Sequence, residues 1–315
     1  MPYNLDVTNA YLFDGARLQP LDWQPARALR WAAWRPDGAS LLAVGNGGSA
    51  LSYDGAKLEP VDTGTRQNLR GAAWSPDGAI ALLVGNRGAV LRLEAGAATD
   101  VSLSHVTENL RRVAWHPGGE WALIVGNGGS VLRYDRAAAT LTPLPGDRAH
   151  TLRSIAFRPD GAYALVGAFA SRWAGYPRPA ALYRCDGRYL QGLLASDDED
   201  DYVAIDWTPD GLAIACGYAW RNDGVVLNKA LLYDGSAWRS HVWGGPGVIL
   251  GGGWKPGGAE ALLVGENGLL LRLEREGGLE ELDSETKDNL IGPFWKPDGS
   301  AALILKGPGE KVYTV

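Results

Sequence analysis

The sequence is poor in the features that mark several classes of protein. Its 315 residues include only two cysteines, Cys185 and Cys216, too few for a disulfide framework, so we expect two reduced thiols. No stretch approaches the roughly 18 consecutive apolar residues of a membrane span. The first segment, MPYNLDVTNAYLFDG, lacks the basic and apolar regions of a secretory signal. These absences predict a cytoplasmic location and no membrane partner.

Basic residues are fewer than acidic ones, 30 Lys and Arg against 36 Asp and Glu. The formal net charge is −6, so we expect no nucleic acid partner. Arginine supplies most of the basic residues, and this bias, with the abundance of Ala and Gly, favours a GC-rich bacterial source. Hydrophobic residues make up 46% and charged residues 21% of the chain, the balance of a globular protein rather than a disordered one.

Motifs for catalysis and metal binding are missing as well. The chain has no Gly-x-Ser-x-Gly elbow, no Walker loop and no Cys/His pair. His105 and His150 have no third ligand at zinc-site spacing. The acidic run SDDEDD lacks the alternating ligands and the glycine of a calcium loop. We therefore expect no metal and no cofactor, and no catalytic residue can be assigned.

The sequence is rich in one motif, aromatic-x-Pro-(Asp/Gly)-Gly. It recurs at intervals of 40 to 50 residues, the length of a four-stranded propeller blade. Its copies define repeats one to seven, whose motif aromatics are Trp34, Trp74, Trp115, Phe157, Trp207, Trp254 and Trp295.

Each repeat has the same succession of strands and turns. In repeat two, NLRGAAW predicts an inner strand, Pro-Asp-Gly a tight turn and AIALLVG a strand buried on both faces. NRG predicts a second tight turn, and the alternating AVLRLE a third strand. A more polar outer strand follows. The pattern predicts an all-β fold in which residues 1–315 form one domain, a seven-bladed β-propeller of four-stranded antiparallel blades.

The aromatic-Ser-Pro-Asp-Gly segment and the Gly-rich turn after it resemble the WD-repeat and YVTN-like β-propeller superfamily. The resemblance spans nearly the whole chain and implies the propeller architecture. The Gly-His and Trp-Asp signatures of true WD-repeats are absent. The resemblance therefore implies neither their buried His–Asp hydrogen bonds nor their partners.

Repeat seven lacks part of its outer sequence. The N-terminal segment AYLFDGARLQPLD matches the third and fourth strands of a blade. We expect an N-terminal strand to complete the last blade and so remove an open sheet edge. Residues 10–14 and residues 311–315 are both candidates for the third strand.

Repeats four and five depart from the others. Residues 167–180 and 217–229 replace the short GNxG turn, and the acidic segment 195–202 joins the two repeats. Exposed aromatic and arginine side chains beside carboxylates are typical of a recognition patch. Alternatively, these loops pack on one another and the acidic run is only solvated. The candidate binding residues are Arg172, Trp173, Tyr176, Arg178, Asp198, Glu199, Asp200, Asp201, Tyr218, Trp220, Arg221 and Asp223.

A second departure concerns the residue four positions before each motif aromatic. It is arginine in repeats one to four and aliphatic in the other three: Arg30, Arg70, Arg111, Arg153, Val203, Leu250 and Ile291. At a channel mouth, such a half-ring of guanidinium groups could hold a carboxylate, a phosphate or an acidic peptide. Alternatively, each arginine pairs with a loop carboxylate such as Asp62, Glu108 or Asp147.

These patterns favour a monomeric, non-enzymatic binding or scaffold propeller that engages a protein or peptide partner through the loop-rich face of repeats four and five. The acidic segment would then select a basic or polar partner. Two other functions stay open. One is a lyase- or hydrolase-type enzyme with its site at the channel mouth, and the other is a carbohydrate-binding lectin that uses exposed aromatic faces. A deep pocket with converging His, Asp or Glu would favour the enzyme.

Overall fold

The computed structural model describes residues 10–146, 151–169, 180–195, 199–221, 223–245 and 247–307. Within these ranges the regular structure consists of β-strands and three-residue 3-10 turns. No helix in the same ranges is both long and apolar enough to cross a membrane.

The strands follow one another in the order that the repeats predict. In chain order they are β1 (Ala10–Phe13), β2 (Leu18–Leu21), β3 (Leu29–Trp34), β4 (Leu41–Gly45), β5 (Ala50–Tyr53), β6 (Leu58–Pro60), β7 (Leu69–Trp74), β8 (Ile80–Gly85), β9 (Val90–Glu94), β10 (Ala97–Asp100), β11 (Leu110–Trp115), β12 (Trp121–Gly126), β13 (Val131–Asp135), β14 (Thr140–Pro143), β15 (Thr151–Phe157), β16 (Ala164–Phe169), β17 (Ala180–Cys185), β18 (Leu190–Ala195), β19 (Glu199–Trp207), β20 (Ala213–Trp220), β21 (Val226–Tyr233), β22 (Trp238–Trp243), β23 (Ile249–Trp254), β24 (Glu260–Gly265), β25 (Leu270–Glu274), β26 (Leu279–Glu281), β27 (Leu290–Trp295) and β28 (Ala302–Lys306).

Antiparallel pairing groups these strands by repeat. Strands β3–β6, β7–β10, β11–β14 and β23–β26 form separate four-stranded sheets. Strands β15–β18 and β19–β22 merge into one eight-stranded sheet, because β16 also pairs with β19 at Phe169 and Asp201. Strands β27 and β28 of repeat seven form a four-stranded sheet with β1 and β2, in the order β2-β1-β28-β27. The chain is therefore all-β, with antiparallel four-stranded units, as the sequence predicts.

The first strand of each repeat contacts the first strand of the next. These contacts run from β3 through β7, β11, β15, β19 and β23 to β27, and β27 in turn contacts β3. We call these the inner strands. The second strand of each repeat is then enclosed between neighbouring repeats. In β8, Leu82 and Val84 pack with residues of repeat three, whereas Ala81 and Leu83 pack with residues of repeat one. Alternate residues of a strand face opposite sides, so the continuous apolar run is buried on both faces.

Strand β1 lies directly beside β28. Ala10 pairs with Leu305 and Phe13 with Ala302 in antiparallel register. The alternative segment, residues 311–315, lies outside the described residues. The Tyr11 hydroxyl donates a hydrogen bond of 2.5 Å to Asp288 Oδ2, which ties β1 to the segment before β27.

The motif aromatics connect neighbouring repeats. Trp115 Nε1 donates a 3.1 Å hydrogen bond to the Ala73 carbonyl, and Trp207 Nε1 donates one of 3.2 Å to the Ala156 carbonyl. Trp34 Nε1 donates to the Phe294 carbonyl at 3.1 Å and so joins repeat one to repeat seven. In each case the acceptor residue directly precedes the motif aromatic of the neighbouring repeat. The indole therefore links two repeats by a hydrogen bond as well as by packing.

A carboxylate at the boundary of repeats five and six predicts a pH-dependent stability. Asp206 accepts 2.8 Å hydrogen bonds from the Trp207 and Trp254 backbone amides. Burial raises the pKa of Asp206 to about 6, although these two hydrogen bonds oppose the shift. A carboxyl group whose pKa is higher in the folded state stabilises the fold below its unfolded pKa, near 4, and loses that contribution as the pH rises through 6.

We therefore expect the free energy of unfolding of the wild type, relative to that of Asp206→Asn, to fall by about 2 kcal/mol between pH 4 and pH 7. Urea unfolding at a series of pH values measures this difference. The control is Asp210→Asn. Hydrogen bonds from Arg275 and Thr208 lower the pKa of Asp210 to about 2, so this variant should show no comparable change over the same pH range. A difference between the wild type and Asp206→Asn that stays constant from pH 4 to pH 7 would contradict the assignment.

Candidate functional site

A break in strand register interrupts each inner strand, in most of them at the second or third residue. The pairing of β3 with β4 skips from Leu29 to Trp31, and the pairing of β7 with β8 skips from Leu69 to Gly71. The skipped residues are Arg30 and Arg70. A β-bulge leaves its extra residue outside the ladder and changes the direction of its side chain. The equivalent breaks in repeats three to six skip Arg111, Arg153, Val203 and Leu250.

The skipped residues line one cavity, which we call the arginine cavity. Its volume is about 190 Å³. Its lining residues are Arg30, Arg70, Arg111, Arg112, Arg153, Asp201, Val203, Tyr218, Leu250, Asn289, Ile291 and Gly307. The structure therefore brings together the four arginines and the three aliphatic residues that precede the motif aromatics, one from each repeat.

The arginines of the first three repeats are held by the asparagine of the GNxG turn. Nε of Arg70 donates a 2.5 Å hydrogen bond to Asn86 Oδ1, and Nε of Arg111 donates one of 2.6 Å to Asn127 Oδ1. Arg30 and Asn46 make the same contact. Among the described residues, Arg70 and Arg111 have no carboxylate partner, so the expected pairing with loop carboxylates such as Glu108 is wrong for these two. Asp147 lies outside the described residues.

The sequence carried a signal for this contact. Repeats one to three have both the arginine and the turn asparagine, whereas repeat six has Leu250 and, in the turn, Glu266. The asparagine and the arginine therefore change together. The turn also needs its last glycine: Gly88 has a φ of +70°, and a Cβ there would lie 2.0 Å from the Val106 carbonyl oxygen.

Arg153 differs from Arg70 and Arg111 because it has a carboxylate partner among the described residues. Its Nη2 lies 3.1 Å from Asp201 Oδ2, and the Tyr218 hydroxyl donates a 2.9 Å hydrogen bond to the same oxygen. The side chain of Asp201 is 1% exposed. Burial of a carboxylate is costly in free energy unless such partners satisfy it.

The expectation that the acidic segment forms an exposed loop is wrong for its second half. Residues Glu199–Trp207 form β19, in which Asp200 and Asp201 are buried. Lys229 Nζ donates a 2.7 Å hydrogen bond to Asp200 Oδ1. Both carboxylates thus pair within the fold, and neither is available to select a basic partner. Glu199 is half-buried, and Asp198 lies outside the described residues.

The second insertion is mostly strand. Strand β20 extends to Trp220, and β21 begins at Val226. Only five residues therefore connect the two strands, whereas the predicted loop covered residues 217–229. Tyr218 is 4% exposed, which corrects its expected place on an exposed patch. Trp220 is half-buried. Arg221 and Asp223 are exposed and form an ion pair at 3.4 Å. The remaining candidates, Arg172, Trp173, Tyr176 and Arg178, lie outside the described residues.

A fifth guanidinium group, that of Arg112, also lines the cavity. Nη1 of Arg112 donates hydrogen bonds of 2.6 Å to the Arg70 carbonyl and 2.8 Å to the Arg111 carbonyl. Its guanidinium carbon lies 3.7 Å from the centre of the Trp31 ring, a cation–π contact. Arg112 therefore supports the backbone that carries two of the cavity arginines.

Positive charges are crowded in this cavity. Burial, followed by the guanidinium groups of Arg153 and Arg70, lowers the pKa of Arg111 to about 9. Burial and the neighbouring arginines likewise lower the pKa of Arg112 to about 9. Both groups stay protonated at neutral pH. The cavity therefore contains five cationic side chains and one carboxylate.

The two cysteines lie apart from this site. Both are buried and unpaired, and burial raises the pKa of Cys185 to about 11, so its thiol is protonated at neutral pH. In the described ranges no group of three His, Cys, Asp or Glu side chains could hold a metal ion.

Comparison with solved structures identifies the fold. The β-propeller domain of Cps50 (Swd1) from Myceliophteria thermophila matches with a TM-score of 0.65 and 14% sequence identity, over 90% of this chain and 99% of that one. This chain is a β-propeller. The architecture implied by the resemblance to WD-repeat and YVTN-like proteins is thereby confirmed, and at this identity the similarity concerns the fold alone. No protein-family model and no curated protein matches the chain.

In this propeller, the arginine cavity lies where the inner strands begin, next to the GNxG turns that hold its arginines. Repeats one to four supply its cationic side and repeats five to seven its aliphatic residues. The cavity is therefore polarised, with its guanidinium groups on one side and, on the other, three aliphatic side chains together with Asp201, Tyr218 and Asn289.

Proposed function

We propose that residues 1–315 form a single seven-bladed propeller domain that is closed by β1 and β2. The continuous contacts between inner strands, including that of β27 with β3, support this closure. So does the pairing of β1 with β28. We further propose that the propeller is a monomeric, cytoplasmic, non-enzymatic binding protein. It engages a protein or peptide partner at the face on which the arginine cavity opens.

One observation carries this proposal, namely the collection of five guanidinium groups and a single carboxylate around one cavity. Arginine binds carboxylate and phosphate groups through paired, charge-assisted hydrogen bonds. The only carboxylate among the lining residues already accepts hydrogen bonds from Arg153 and Tyr218. The chemistry of the cavity thus favours binding of an anionic group, so the partner is acidic at this point rather than basic.

The β20–β21 hairpin of repeat five extends this surface. Tyr218 lines the cavity, and Trp220 is two residues further along β20, on the same side of the strand. Val225, in the turn beyond, is 44% exposed. A partner anchored in the cavity would therefore meet a half-buried tryptophan and an apolar turn next to it.

We expect Trp220→Ala to weaken binding of the captured partner by about 2 kcal/mol or more, because aromatic side chains near the centre of an interface carry much of the binding energy. The melting temperature should stay unchanged. The partner is first isolated on the immobilised wild-type propeller, and its affinity for each variant is then measured by calorimetry.

The matched control is Trp238→Ala. Trp238 is also half-buried, but it lies on the outer strand β22 and stacks on Tyr233 with ring centres 4.1 Å apart. This variant should bind the partner as the wild type does. Intact binding by Trp220→Ala together with a lowered melting temperature would show that Trp220 only packs, and would overturn the proposed surface.

A further inference from the structure

The volume of the arginine cavity limits the size of the ligand that it can bind. Sites for drug-sized ligands usually measure about 300–1,000 Å³, whereas this cavity is about 190 Å³. At roughly 30 Å³ for each water molecule in the liquid, it holds the equivalent of about six waters. It therefore suits one small group, either a free ion or the tip of a side chain.

Its charge points to an anion with more than one negative charge. Asp201 is the one carboxylate among the lining residues, and it lies 3.1 Å from Arg153. Burial first, and then the neighbouring guanidinium groups, lower the pKa of Arg70, Arg111 and Arg112. Repulsion among like charges raises the free energy of the empty cavity, and a dianion offsets more of it than a monoanion does.

The hydrogen-bond donors of the cavity are held in position before a ligand binds. The bulge sets the backbone of Arg70 and of Arg111, and an asparagine holds the Nε atom of each. Within the described residues, the Nη groups of these two arginines have no acceptor. Nε of Arg112 is buried and also has no hydrogen-bond partner there. A rigid guanidinium binds with a smaller loss of side-chain entropy than a mobile one.

We propose that the arginine cavity binds a phosphoryl group. The proposal rests on the binding role proposed above, because it names the chemical group that the cavity recognises. Arginines from successive repeats approach one small volume from different strands. The three terminal oxygens of a phosphoryl group can accept hydrogen bonds from several of them at once, whereas a carboxylate has only two oxygens. The group is either inorganic phosphate or the phosphate of a phosphorylated side chain on the partner.

Calorimetric titrations at pH 7.5 and constant ionic strength test the proposal. The probes are inorganic phosphate, N-acetyl-phosphoserine methylamide and N-acetyl-glutamate methylamide. We expect phosphate or the phosphoserine probe to bind with one-to-one stoichiometry and the glutamate probe to bind at least tenfold more weakly. Tighter binding of the phosphoserine probe than of phosphate assigns the group to a partner side chain, and the reverse order assigns it to the free ion.

Variants locate the binding in the cavity. Arg70→Gln and Arg111→Gln should each raise the dissociation constant of the phosphate-containing probe at least tenfold. Arg184→Gln, an exposed position on β17 whose arginine contacts Gln191, should leave it unchanged. Arg111→Lys keeps the charge without the planar fork and should give an intermediate value, which provides a second test should a glutamine variant fail to fold.

Equal binding of the glutamate and phosphoserine probes would overturn the phosphoryl assignment. So would the absence of one-to-one binding, or equal weakening by Arg184→Gln. If these titrations fail while partner binding stays sensitive to Trp220→Ala, the phosphoryl proposal falls and the proposed function stands. Phosphate binding without any effect of Trp220→Ala on partner binding would overturn the proposed partner surface alone.

Discussion

Deletion of residues 1–22 is expected to abolish the cooperative thermal unfolding of the propeller. The deletion removes β1 and β2, and with them the strand that pairs with β28. It also removes Phe13, which is 1% exposed, and the hydrogen bond from Tyr11 to Asp288. Leu303, Ile304 and Leu305 would then lie in an open sheet edge, which is a site of aggregation. We expect loss of the calorimetric transition and elution as aggregates from a sizing column.

The matched control is deletion of residues 1–9, which leaves β1 and β2 in the chain. A protein that lacks residues 1–22 but elutes as a monomer, with the melting temperature of the wild type, would show that these strands do not close the propeller.

Trp115→Ala is expected to lower the free energy of unfolding by about 3–5 kcal/mol, the usual cost of removing a large aromatic side chain from a core. Trp115 is 7% exposed and lies edge-on to Tyr134, with ring centres 5.8 Å apart. The substitution also removes the indole hydrogen bond to the Ala73 carbonyl of the preceding repeat. Urea unfolding at constant temperature measures the loss.

Trp115→Phe separates packing from hydrogen bonding in this contact. It keeps an aromatic ring and removes the indole donor, so the loss should be smaller than for alanine. Trp74→Ala is a second comparison, because Trp74 is half-buried and its Nε1 has no acceptor among the described residues. An equal cost for Trp74→Ala and Trp115→Ala would contradict a special role for the hydrogen bond between repeats.

The repeat made much of the fold predictable from the sequence. In each copy, Pro, Asp and Gly mark the same turns, so the predicted run AIALLVG coincides with β8 to within one residue. The sequence also places an arginine four residues before the motif aromatic in repeats one to four: Arg30, Arg70, Arg111 and Arg153. Side chains at equivalent positions of a repeat lie at equivalent places around the propeller, and for this reason the four arginines converge.

The acidic segment could not be predicted in the same way. A run of carboxylates next to a loop favours exposure, and nothing local indicates that Asp200 and Asp201 belong to a strand. Their burial depends on Lys229, 29 residues from Asp200, and on Arg153 in the preceding repeat. The contact with Lys229 exists only once the strands of repeat five have paired, and the contact with Arg153 only once repeats four and five have packed. The contact of Arg112 with Trp31, two repeats away, could not be predicted for the same reason.

A crystal structure of the full chain, grown in phosphate, would show whether the arginine cavity binds a phosphoryl group. We expect one tetrahedral anion in the arginine cavity, bonded to Nη atoms of both Arg70 and Arg111, with Asn86 and Asn127 still accepting from their Nε atoms. A cavity that contains only water at a phosphate concentration that saturates the calorimetric titration would contradict this expectation, as would phosphate bound on a different surface.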